Sequence, residues 1–206
     1  MKRTLLICAL ASFGLTAPAF ADGHADMSFF LTSVGSGDGA NLGGLEGADA
    51  HCTELAEASG ISGKSWVAYL STDDVNARDR IGTGPWVNYS GVTVATDVDN
   101  LHDAAANALS KENSISESGA IINGRGDSPN MHDILTGSDA MGMSTGASCA
   151  AWTSNGEGSA TVGHHDRTGG GADPTSWNAA HPSRGCSQTD LEGTGGSGLF
   201  YCFATN

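Results

Sequence analysis

The sequence predicts an α+β domain that works outside the cytoplasm, and three observations carry the prediction. Short apolar runs such as 28–34 (SFFLTSV) and 199–203 (LFYCF) are rich in aromatic and branched residues and read as strands. The stretch 45–59 switches to helical period. Cys52, Cys149, Cys186 and Cys202 all follow an export-type leader, and four cysteines in an exported chain read as two disulfides.

The leader is residues 1–21. Lys2 and Arg3 give a positive start, 5–15 is apolar, and Ala19-Phe20-Ala21 is a small-x-small cleavage site. The apolar run is too short for a spanning helix, and Cys8 lies inside it rather than after it, unlike a lipoprotein anchor. The expectation is a periplasmic or secreted chain with one domain, 22–206. Cleavage would remove two positive charges from a chain whose formal charge is already −14. Such acidity argues against nucleic acid, anionic membrane and heparin-like polyanions as partners. It suits divalent cations, neutral glycans or a basic exported protein.

The elements follow in order. After the first strand, 35–44 is a turn region of Gly, Ser, Asp and Asn. In 45–59, Ala48, Cys52, Leu55 and Ser59 share one face, Glu46 and Asp49 lie toward the positive helix start, and Gly60 suits the position just past the end. Residues 66–70 (WVAYL) read as a buried strand, 86–95 as a further strand or hairpin, and 101–109 as a second short helix. From 119 to 198 the composition changes, and more than half of the chain's 30 glycines fall there. Within it, 149–152 and 160–162 read as strands. Loops this long are functional or disordered; the two cysteines inside favour ordered loops held by a disulfide. Four cysteines allow three pairings, and spacing does not choose among them.

Gly43-Gly44-Leu45-Glu46-Gly47-Ala48-Asp49-Ala50-His51-Cys52 resembles the start of the endostatin domain, the C-terminal module of collagens XV and XVIII. Ala68-Tyr69-Leu70-Ser71-Thr72, Arg78-Asp79-Arg80, His132 with Gly137-Ser138-Asp139, Cys149 with Trp152, and the order of the cysteines extend the resemblance over most of residues 22–206. It implies a C-type lectin-like fold, two helices on a twisted antiparallel sheet with long Gly-rich loops. It also implies nested disulfides, Cys52–Cys202 and Cys149–Cys186. The family's heparan sulfate site needs surface arginines, and this chain has nine Lys and Arg in all. The family's zinc is held by histidines at the extreme N-terminus and in the first strand; the first strand here has none. Neither site carries over.

Four groups could carry chemistry. Asp22-Gly23-His24 at a cleaved terminus would offer an amine, two amides and an imidazole, a square-planar nitrogen set for Cu(II) or Ni(II). His164, His165 and Asp166 are imidazole and carboxylate donors beside a glycine run. The pair His132-Asp133 reads as a hydrogen-bonded loop pair. Asp127-Ser128-Pro129-Asn130 and Trp177-Asn178 are similar to calcium-dependent lectin segments, with Ala179 in place of the third acid. Trp177, Asn178, His181 and Arg184 form the candidate glycan site, an aromatic face with amide and guanidinium donors. No nucleophile–base pair, nucleophile elbow or phosphate loop is present in the sequence. The expected function is a non-catalytic binding module for a glycan or an exported protein, with divalent-metal binding as the alternative.

Overall fold

The computed structural model describes residues 24–206. The leader 1–21 and the Asp22-Gly23 half of the N-terminal metal motif lie outside the described residues. The chain runs β1 (Phe29–Leu31), α1 (Gly44–Ala58), β2 (Trp66–Ala68), a 3₁₀ turn (Ala77–Asp79), β3 (Trp86–Val87), β4 (Thr93–Ala95), α2 (Val98–His102), β5 (Asp133–Leu135), α3 (Cys149–Trp152), β6 (Thr161–His164), β7 (His181–Pro182), α4 (Gln188–Thr194) and β8 (Gly196–Ala204). The α+β class is as expected.

Strand β8 organises the sheet. Its second half lies between β1 and β2, pairing antiparallel with both: Cys202 faces Phe30 on one side and Ala68 on the other. Its first half runs parallel to β5, and β6 and β7 continue outward. The sheet is therefore mixed, which corrects the antiparallel expectation. The parallel β5–β8 pair arises because a long crossover, with α4 in it, separates the two strands.

The two-residue period of β8 divides the core. Phe200 and Cys202 face α1 with Leu70, Trp66 and Trp152. Leu199, Tyr201 and Phe203 face the other way, onto Tyr69, Trp86 and Trp177. Both faces of the strand are buried, so the run is continuously apolar rather than alternating. Burying a large side chain of this kind contributes about 1.5–3 kcal/mol.

Helix α1 forms where its period placed it, burying Ala48, Cys52 and Ala56, with Gly60 past its end at φ 87°. Asp49 does more than lie near the helix start. Its carboxylate accepts from Ala68 N–H at 2.8 Å and pairs with Arg80 at 2.7 Å, fastening α1 to β2.

Both nested disulfides are present, Cys52–Cys202 between α1 and β8 and Cys149–Cys186 within the glycine-rich half. Two such bonds belong to an oxidising, extracytoplasmic setting. No helix among the described residues is long and apolar enough to cross a membrane.

Three expectations are corrected. Helix α2 ends at His102, because Asp97 caps its start by accepting from Asn100 N–H and the backbone turns extended at Asp103. The segment Cys149–Trp152 is no strand but a left-handed turn, all four residues at φ 48–66°. A further helix, α4, stands beside the two expected ones, because Ser187 caps its start and Gly195 ends it.

Candidate metal centre

Strand register brings the site together. Asp133 pairs with His164 directly across the β5–β6 ladder, and Val162, two residues before His164, pairs with His181 of β7. Alternation then puts Asp133, His164 and His181 on one face of the sheet. His132, the residue before β5, turns its ring against His164, centroids 4.3 Å apart and nearly parallel.

One carboxylate oxygen lies at the centre. Asp133 Oδ1 is 3.1 Å from His132 Nε2, 3.3 Å from His164 Nε2 and 3.6 Å from His181 Nε2. The Nε2 atoms of His164 and His181 are 3.0 Å apart. The Asp133 side chain is 2% exposed, and neither of its oxygens has a partner in hydrogen-bond geometry. The imidazoles are close to it but are not aligned on it as donors. A buried carboxylate without partners is costly unless a cation sits beside it.

The opposite ring nitrogens are all engaged. His164 Nδ1 faces the Pro174 carbonyl at 2.8 Å, His181 Nδ1 the Pro182 carbonyl at 3.1 Å, and His132 Nδ1 the Asp166 carboxylate at 3.4 Å. Each acceptor favours the proton on Nδ1 and leaves the Nε2 lone pair free to ligate, which is how metal-bound histidines are oriented. Burial works to lower the pKa of His164, but Asp133 and the Pro174 carbonyl outweigh it and raise it above the ordinary imidazole value. Burial likewise works to raise that of Asp166. Hydrogen bonds from His132 and from the N–H groups of Arg125 and Thr168 prevail and hold it well below the usual carboxylate range.

His132, Asp133 and His164 can thus hold one ion, their donor atoms lying within 4.8 Å of one another, and His181 adds a fourth donor through Asp133 and His164. Imidazole with carboxylate suits zinc, copper, nickel or iron; calcium prefers six to eight oxygens. No known protein family matches the chain, and no curated protein matches it either.

The sequence-predicted residues are distributed differently. Of the His164, His165 and Asp166 run, only His164 points at the centre. Asp166 supports His132 from outside, and His165 faces away, its Nε2 on the Asn123 carbonyl. His24 stacks on Tyr89, 4.8 Å between centroids. The glycan candidates are not brought together. Trp177 is 2% exposed and packs against Tyr69 and Tyr201, so it has no face for a sugar. Asn178 is also buried and donates to the Tyr69 hydroxyl. His181 belongs to the candidate metal centre, and Arg184 is exposed beside α4. The calcium-type oxygens are spent elsewhere: Asp127 holds Lys111 at 2.5 Å, and Asn130 accepts from His132 N–H. The expected loop pair His132-Asp133 is instead the middle of the site. Its signal in the sequence was the possible ladder pairing of Asp133 with His164, visible only once β5 is recognised as a strand.

Proposed function

We propose that this chain is an extracytoplasmic protein that binds one divalent transition-metal ion, with His132, Asp133, His164 and His181 as donors. The observation that carries the reading is the Asp133 carboxylate, buried and without a hydrogen-bond partner, with three Nε2 atoms around it. An adventitious surface site would have none of this burial and no oriented Nδ1–H groups. The endostatin-like scaffold is a companion proposal, supported by the 43–52 segment and the cysteine order; under it the metal has moved from the N-terminus to the far end of the sheet.

Elemental analysis and calorimetric titration of the purified, metal-stripped protein test the reading. One equivalent of zinc, nickel or copper should bind. His164→Ala should abolish stoichiometric binding, and Asp133→Asn should weaken it while leaving the fold intact by circular dichroism. Binding that survives the double change Asp133→Asn, His164→Ala would overturn the assignment.

A further inference from the structure

We infer that His181 closes the coordination sphere and that the ion is a structural zinc, a third cross-link of the fold with no position left for a substrate. This rests on the metal-binding reading above and concerns the ion's role.

Spacing is the first ground. A tetrahedral zinc with bonds of about 2.0–2.1 Å places its donors about 3.3 Å apart. Four of the six donor pairs run from 3.0 to 3.6 Å; His132, Asp133 and His164 form the group within 4.8 Å, and His181 joins it on the Asp133 and His164 side. Structural zinc sites use four protein donors, whereas catalytic ones keep a position open.

Enclosure is the second. Backbone packs directly on the rings at three glycines. A β-carbon on Gly169 would lie 2.7 Å from His164 Cε1 and 3.1 Å from His132 Cε1. One on Gly171 would lie 2.8 Å from His181 Cδ2, and one on Gly195 3.2 Å from His132 Nε2. Asp133 and His164 are sealed from solvent, and His181, at 21%, is the most exposed of the four.

Placement is the third. Three donors come from adjacent strands, Asp133 of β5, His164 of β6 and His181 of β7, and His132 immediately precedes β5. His164 and His181 also stand at the two ends of the segment 165–180, which contains no helix or strand. An ion bound to both closes that loop, which is what a cross-link does for a segment unable to bury a core of its own.

Cobalt(II) substitution of the full-length mature protein tests this. The expected visible spectrum is intense and four-coordinate, and it does not change when azide is added. Proton NMR of the same sample should show three exchangeable, hyperfine-shifted ring N–H signals, one per imidazole. His181→Ala should still take cobalt, at least tenfold more weakly, and its spectrum should now respond to azide. Removing zinc should open 165–180 to limited proteolysis. Cobalt binding with an azide-sensitive wild-type spectrum, or only two ring N–H signals, overturns the closed site while leaving metal binding in place. No cobalt or zinc binding overturns both. The wild-type spectrum and NMR decide the matter even if His181→Ala does not fold.

Discussion

Asp166 touches no donor atom of the proposed ion except through the ring of His132, yet the geometry gives it a measurable part. It accepts from His132 Nδ1, Arg125 N–H and Thr168 N–H, fixing ring and loop together. Asp166→Asn keeps the shape but weakens the hold on the His132 ring proton. A loss of about 10–100-fold in zinc affinity is expected, as for other supports of metal-bound histidines, read by competition with a chromogenic chelator. A second residue sets a pH dependence away from the metal. His102 donates from Nδ1 to the Val98 carbonyl, and its Nε2 receives the Tyr69 hydroxyl, which itself accepts from Asn178. Burial, with Arg78 adding to it, pushes the His102 pKa below the ordinary imidazole value. The unfolded chain, near 6.5, therefore takes up the proton first on acidification. The stability this residue contributes is present above about pH 6.5 and is lost as pH falls toward the folded value. Urea unfolding in chelator at pH 7 and pH 5 should show a smaller acid loss for His102→Gln than for the parent. An equal loss in both would remove His102 as a cause. Histidines such as 102 and 165 look alike in sequence to 164; what separates them is what meets the Nε2 atom, the Tyr69 hydroxyl at His102, the Asn123 carbonyl at His165 and Asp133 at His164, a matter of tertiary packing.

At the scale of elements, the parts that were legible are those with a period. Helix α1, the strand expected at 66–70 and found at Trp66–Ala68, and the last strand follow from spacing and apolar content. The left-handed turn Cys149–Trp152 has no such signature. Its residues are two alanines between a cysteine and a tryptophan, and nothing in that string requires positive φ. Tertiary contacts impose it: Trp152 is buried and donates to the Ser71 carbonyl at 2.8 Å, Ser148 accepts from Ala151 N–H, and Cys149 is bridged to Cys186. A left-handed conformation costs a residue with a β-carbon about 1–2 kcal/mol. Ala151 is exposed, so Ala151→Gly removes strain without opening a cavity. Allowing for glycine's greater freedom in the unfolded chain, a net gain of about 0.5–1 kcal/mol is expected in denaturant unfolding. A loss of stability would mean that the turn is not held as described. The candidate metal centre is half legible for a related reason. The histidines and acids stand in the sequence, but only the β5–β6–β7 register, in strands of two to four residues, tells which of them share a face.

For the molecule as a whole, the cross-links can be ranked. Cys52–Cys202 spans 150 residues and Cys149–Cys186 spans 37. Chain entropy alone makes loss of the longer one more costly by about 1 kcal/mol. The variants Cys52→Ala, Cys202→Ala and Cys149→Ala, Cys186→Ala, compared by thermal unfolding, should fall in that order below the parent. If the proposed site takes zinc, the ion adds to both by mass action: at a free concentration of 100 times its dissociation constant it would stabilise the native state by about 2.7 kcal/mol. The melting temperature should rise with zinc and return on chelation.

Strand β8 has one more consequence. Among the described residues, strands β1 and β2 have no sheet partner except β8, and β5 needs it on one side. A nascent polypeptide emptied into an oxidising compartment from its N-terminal end would hold β1 and β2 unmated, with ladder edges bare, until residues 196–204 arrived. Truncation before Gly196 should accordingly give not a smaller domain but an aggregation-prone fragment, and a chaperone that shields edges would find its substrate in that interval.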